Sequence, residues 1–346
     1  MSDPTPSTAA PVPPAPGAQL ADLIWGYQRT QIVYVAARLG LADRLADGPQ
    51  PVDELAAATG THAPALYRLL RTLAGHGLFA ERDDGRFEQT PLSALLRSGT
   101  SGSLRAMALA EGEDFYPAWG QLLYSVQTGE PAFERVFGLS NWEYRAQHPD
   151  ANARFNAYMS DLTRQKAAAV VAHYRFPDRG VVVDVGGGDG TLIAAVLNAY
   201  PDLRGVLFDL PHVAPEADGT IAAAGVAERC QVVGGDFFAA VPPGGDCYLL
   251  ATVLHDWSDD RAAEIVRQCR RALAPGGRVL VIERVMPAGN GPSIAKLRDL
   301  HMLVGNAGGR ERTEAEWRTL LAAGGFELHT LTATGPAYHV LDARPA

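Results

Sequence analysis

Between Val181 and Gly190 the chain reads Val-Val-Val-Asp-Val-Gly-Gly-Gly-Asp-Gly, a β-branched run that passes through one acid and breaks into four glycines within five residues. A run of this kind fits a central parallel strand buried on both faces, which requires helices on both sides of its sheet. The glycines let the backbone turn sharply and approach a ligand closely, and the helix they open is expected near Thr191. In the spacing Gly186-x-Gly188-x-Gly190 the third glycine falls one position earlier than a dinucleotide loop needs, with Thr191 in its place, which weakens an NAD reading. Taken alone the loop also fits a plain tight turn.

The segments that follow alternate regularly. Strands are expected at 181–185, 204–209, 230–236, 247–254 and 278–283, with helices at 191–199, 213–225 and 259–273 and a turn at Pro275-Gly-Gly. Repeated βα units imply a doubly wound parallel sheet, and 326–331 with 338–342 fit an antiparallel pair at its end. Ligands of such sheets bind beyond the carboxyl ends of the strands, so the polar residue closing each run carries the information. Asp209 closes the second strand, where an acid can accept both hydroxyls of a ribose. Asp236, followed by Phe237, closes the third, where a carboxylate and a ring could hold an adenine. Each acid alone could be a helix cap; in order after a glycine loop they indicate a nucleoside cofactor. His255 is expected at the end of the fourth strand and Glu283 at the end of the fifth. Adjacent parallel strands would bring the two together, and a carboxylate beside an imidazole fixes its tautomer and stabilises its cation, the preparation of a general base.

Upstream, helices are expected from 18 to about 47, at 51–60 and at 63–76, followed by a hairpin around Asp83-Asp-Gly85. Helix, helix, hairpin is a winged-helix pattern and raises a DNA-binding regulator as an alternative. Residues 51–90 carry six acids against four arginines, and the whole chain has a net charge of −9. Phosphate neutralisation needs a basic face, so no nucleic-acid partner is expected, and packing or dimerisation is preferred. From 100 to 178 the chain reads as mostly helical with twelve aromatic residues, which serve equally as core or as the wall of a flat organic ligand's pocket. No apolar run approaches a membrane span, and the N-terminal residues lack a secretory pattern. Cys230, Cys247 and Cys269 show no C-x-x-C spacing, so no metal is expected and a reducing cytoplasm suits the chain.

The ordered set Asp-Val-Gly-Gly-Gly, Phe-Asp209, Gly-Asp236-Phe-Phe, Leu-His-Asp-Trp, Pro-Gly-Gly-Arg, Ile-Glu283 and Gly-Gly-Arg-Glu311-Arg-Thr resembles the S-adenosylmethionine-dependent O-methyltransferases of the plant caffeic-acid type and their bacterial natural-product relatives. The resemblance covers nearly the whole chain. It implies a Rossmann-like class I methyltransferase sheet behind a mostly helical, winged-helix-like dimerisation domain: a tail at 1–17, the dimerisation domain at 18–100, a helical connector at 101–178 and the catalytic domain at 179–346. It also implies His255 as general base, flanked by Glu283 and Glu311, and S-adenosylmethionine held by Gly186, Gly188, Asp209, Asp236 and Phe237, with Thr163 near its methionine end. Phe155, Met159, Met302 and Asn306 match pocket positions, and Trp119 and Asp256 are placed with them. The plant pattern's lysine and tryptophan before the histidine are Ala251 and Thr252 here, so contacts from those positions do not carry over. The expected activity is O-methylation of a small aromatic, phenolic or polyketide-like natural product by a homodimer. C-methylation or a non-methylating step, hydroxylation or rearrangement, on the same scaffold is the alternative.

Overall fold

The computed structural model describes residues 15–100, 102–335 and 337–346. It separates into two compact units, one ending at Gly112 and one running from Glu113 to Ala346. The division therefore falls inside the stretch read as a connector, whose helices from Tyr116 onward belong to the second unit. The expected tail lies outside the described residues up to 14, while Pro16 and Gly17 already form part of the first helix, Pro16–Ile24.

In the first unit the stretch 18–47 forms three helices, Pro16–Ile24, Gly26–Arg38 and Leu41–Arg44, where two were expected; the last break is Gly40 at φ 63. Helices Val52–Thr59 and Ala63–Gly75 follow. Strands β2 (Phe79–Glu81) and β3 (Arg86–Gln89) make the expected hairpin, and an unexpected two-residue strand, β1 (Gln50–Pro51), adds to its edge. Leu41, Leu55, Leu70, Leu73, Phe79 and Phe87 close the core of this unit. Leu20, Leu23, Ile24, Trp25 and Tyr27 remain exposed.

The second unit is built on a seven-stranded sheet. Its strands are β4 (Gly180–Val185), β5 (Leu203–Asp209), β6 (Cys230–Gly234), β7 (Gly245–Ala251), β8 (Leu273–Glu283), β11 (Phe326–Ala333) and β12 (His339–Pro345). The two remaining strands, β9 (Val285–Met286) and β10 (Arg312–Thr313), form a separate parallel pair. The order β11-β12-β8-β7-β4-β5-β6 is parallel from β8 to β6, with the terminal pair antiparallel at the edge. Neighbouring residues on each strand serve opposite cores. Val182, Leu249, Leu280 and Ile282 pack against helices Pro149–His173 and Thr191–Ala199, whereas Val183, Leu250, Val279 and Val281 pack against Asp259–Ala272 and Glu314–Ala323. This is why the strands read as unbroken apolar runs: each such side chain gains roughly 1.5–3 kcal/mol of burial on whichever face it points to. Chain order reverses between β4 and β7, and the glycine loop after β4 sits at that switch point, where α/β sheets open a crevice.

Three expected elements differ. β7 stops at Ala251, so His255 does not end the strand but lies in a 3-10 turn, Leu254–Asp256. β6 stops at Gly234, leaving Asp236 in the following loop. β8 begins at Leu273 and runs through Pro275-Gly-Gly, absorbing the expected turn with a register shift against β7 between Gly245 and Cys247.

Candidate active site

The loop after β4 turns through Gly186, Gly188 and Gly190, all at positive φ, 72°, 55° and 77°. A side chain at Gly186 would strike Val253 at 2.8 Å, whereas one at Gly188 would meet nothing within 4 Å. The loop is thus packed underneath and open at Gly188. Asp209, at the end of β5, accepts the Gly188 amide at 2.8 Å through Oδ2 and the Leu210 amide at 2.7 Å through Oδ1. Burial holds its carboxyl above the ordinary range. Asp236 is exposed and accepts the Phe238 amide at 2.8 Å, a local turn that leaves its second oxygen without a hydrogen bond among the described residues. Phe237 and Phe238 meet edge to face and both pack edge-on against Trp257.

His255 is 8% exposed, and two fully buried carboxylates face its Nδ1: Glu311 at 3.4 Å and Glu283 at 3.5 Å. These acids, far apart in sequence, converge through backbone pairing. Glu283 ends β8, Glu311 directly precedes β10, and the parallel β9–β10 pair sets Arg312 beside Val285. Asp256 lies 3.7 Å from the other ring nitrogen, Nε2. Burial by itself lowers the affinity of the imidazole for a proton, but the charges of Glu283, Asp256 and Glu311 outweigh it and push the pKa up to about 9. The turn carrying the ring is held from behind. Arg312, fully buried, donates to the Leu254 carbonyl at 3.0 Å and the Trp257 carbonyl at 2.9 Å, and the Arg310 amide donates to the His255 carbonyl at 2.8 Å. A side chain at Gly309 would come within 3.1 Å of that same carbonyl.

Sequence reasoning missed several charged neighbours. Arg284 donates to Glu311 at 3.3 Å and to the Tyr338 hydroxyl at 2.6 Å. Lys166, 4% exposed, donates at 2.7 Å to Thr252, the one non-glycine residue at positive φ (54°) among the described residues. Burial holds this lysine down at about 8 against the pull of Glu283. Burial likewise raises Asp184, on β4, to about 7, and its Oδ2 has no partner among the described residues. The rarity of lysine, two in the chain, was the signal available for Lys166; Arg284 adjoins Glu283.

Of the positions expected in an acceptor pocket, Asn306 donates to Asp256 at 2.8 Å and touches the Met302 sulfur at 3.9 Å. Trp119 donates its indole N–H to Nδ1 of His301 at 3.3 Å, a residue the sequence reading did not single out. Phe155 packs under Arg145 and edge-on to Trp142. Thr163 and Met159 are half-buried on helix Pro149–His173 with no hydrogen bond to these groups among the described residues. His255, Glu283 and Glu311 offer ligand atoms within 4.8 Å of one another, a spacing that could hold a metal ion, although Arg284 already supplies a cation to Glu311.

A family model described as an O-methyltransferase domain matches residues 119–327, and one described as an O-methyltransferase dimerisation domain matches residues 21–99. The chain is 50% identical over 326 residues to the phenazine O-methyltransferase PhzM of Lysobacter antibioticus, covering 94% of this chain and 95% of that protein. It is similar to the crystal structure of LaPhzM, with a TM-score of 0.91 and 49% identity over 95% of this chain and 99% of the other. A second solved structure is an O-methyltransferase (NcsB1) from neocarzinostatin biosynthesis in complex with S-adenosylmethionine and 2-hydroxy-5-methyl naphthoic acid; it matches with a TM-score of 0.80 and 36% identity over 92% of this chain and 96% of that one. The Rossmann-like sheet and these matches agree: the chain belongs to the O-methyltransferase family.

Proposed function

We propose that this chain methylates a hydroxyl of a flat aromatic natural product, with S-adenosylmethionine as donor and His255 as general base. The observation that carries the reading is the buried His255 with two carboxylates on Nδ1, beside the carboxyl edge of a sheet whose glycine loop is open at Gly188. The loop suits the donor: Gly188 leaves room for close approach, Asp209 suits ribose hydroxyls, and Asp236 with Phe237 suits adenine. Thr163 is the candidate for its methionine end. When bound, S-adenosylmethionine supplies an electrophilic methyl group on a sulfonium. The chain's part is to align the acceptor oxygen and take its proton at Nε2. In water a phenol at about 10 and an imidazole at about 6.5 differ by roughly 5 kcal/mol. With the imidazole lifted to about 9 the gap shrinks to about 1.4 kcal/mol. Holding the reactants in line supplies a further ~7–11 kcal/mol. Phe155, Met159, Met302, Trp119, Asn306 and Asp256 are assigned to the acceptor pocket.

The dimerisation-domain match and the exposed apolar strip from Leu20 to Tyr27 support a homodimer. No helix among the described residues is long and apolar enough to cross a membrane. The test is incubation with S-adenosylmethionine and a set of flat phenols. Equal release of S-adenosylhomocysteine and O-methyl product is expected; a C-methyl product by NMR, or turnover without S-adenosylhomocysteine, would replace the reading with the alternative chemistry.

A further inference from the structure

Arg145, in helix Asn141–Gln147, is 3% exposed, yet no carboxylate closes on it among the described residues. Its Nη1 donates to the Ala151 carbonyl at 3.3 Å, while Nε and Nη2, both buried, have no partner. The Asp114 carboxylate that offsets its charge gives one oxygen to Arg154 at 2.8 Å and keeps the other, also buried, without a partner among the described residues, while Asp256 offsets it more weakly; Arg154 also holds Glu113 at 3.2 Å. A buried guanidinium with open donors is costly, and unsatisfied buried groups call for an explanation. The unpartnered side is informative. Nε–H and the neighbouring Nη2–H run parallel and form the edge that grips a carboxylate through two bonds at once.

The surroundings fit a planar acid. The guanidinium lies over the Phe155 ring at 3.6 Å from its centroid and 5.7 Å from that of Phe115. The same helix is tied to the His255 turn, because Asn141 donates to Asn306 at 3.1 Å and Asn306 donates to Asp256. Arg145 and Arg298 both act on His301, and the charge of Asp256 acts on Arg145, which sets this guanidinium at the border between the acids around His255 and the cations around His301.

We propose that the Nε–Nη2 edge of Arg145 recognises the carboxylate of the acceptor, making hydroxylated aromatic acids the preferred substrates. The assignment rests on the methyl-transfer reading and narrows it. A neutral acceptor leaves the two donors bare; an acid satisfies both with charge-assisted bonds and keeps its ring against Phe155.

The test compares 1-naphthoate with 1-naphthamide, neither of which carries a hydroxyl, by calorimetry on the full chain with S-adenosylhomocysteine present. The wild type should bind the acid at least about tenfold tighter than the amide. Arg145→Met should bring that ratio close to one, and Arg145→Lys should keep part of it. Equal binding of both probes by the wild type, or equal weakening of both by Arg145→Met at an unchanged melting temperature, overturns the assignment. Should the methionine variant unfold, the wild-type ratio decides alone. Methylation of hydroxynaphthamides as fast as of the matching acids would remove the Arg145 site and leave the proposed reaction standing. Acid discrimination without S-adenosylhomocysteine release from any acceptor would do the reverse.

Discussion

His255 and His301 are buried alike, 8% and 7% exposed, in the same unit, yet one imidazole is pushed up to about 9 and the other down to about 3. Burial lowers the proton affinity of both rings. What separates them is the company: Glu283, Asp256 and Glu311 around His255, and the guanidiniums of Arg298, Arg284 and Arg145, with His255 itself, around His301. Loss of solvent is the largest single influence on both rings and sets His301 neutral; at His255 three carboxylates together reverse it. The indole N–H of Trp119 on Nδ1 of His301 also fixes that neutral ring with its proton on Nε2. Acids surround the proposed base and guanidiniums surround His301, with Arg284 bridging the two sets through Glu311.

The comparison breaks most visibly if the charged member is removed. His255→Ala should lower turnover by ~10³-fold while S-adenosylhomocysteine still binds in calorimetry; unchanged turnover would falsify the general-base role. Next in size, Glu311→Gln should cut turnover by roughly 10–100-fold and move the rising limb of the pH–rate profile from about 9 toward 6.5, since one of the charges holding the proton on His255 is gone. In the wild type, kcat/KM should climb with pH up to about 9, and a flat profile between pH 6.5 and 9 would contradict the raised value. The same shift stabilises the fold. Its contribution is complete below about 6.5, the unfolded value, and is lost as pH rises through about 9.

Lys166→Met should destabilise the fold by on the order of 3 kcal/mol, because Glu283 and Asp184 lose a buried counter-charge; denaturant titration with an unchanged midpoint would show that this cation is dispensable. The smallest effect concerns His301. Its pKa falls on folding, so stability should drop as pH descends below about 6.5, by about 2 kcal/mol at most at pH 5. His301→Gln should flatten that acid limb in melting curves. A His301 NMR signal that titrates near neutrality would erase the contrast between the two rings.

Much of this was legible in the chain because local pattern carried it. Strands β4, β5, β7 and β8 are apolar runs feeding two cores, and Glu283 stands out as an acid closing such a run. His255 was found by motif, but its placement on a 3-10 turn was not, since Val253 and Leu254 are buried like strand residues without being strand. The division after Gly112 went unread because helical periodicity continues across it. Arg145, Lys166 and His301 left no local pattern. Their meaning depends on Phe155, Thr252 and Trp119, partners brought up only by tertiary packing.

Arg312 and Gly309 carry a consequence for anyone recombining genes of this family. The His255 turn does not rest alone on its own two bonds, from the Asp256 and Trp257 amides to the Val253 and Leu254 carbonyls: its carbonyls are gripped by residues more than fifty positions downstream, and the Gly309 backbone lies against them. Residues 254–257 and 308–313 thus form one cassette in two pieces. A crossover placed between them would splice a turn from one parent onto a clasp from another, and libraries that inherit both pieces together should yield the active chimeras.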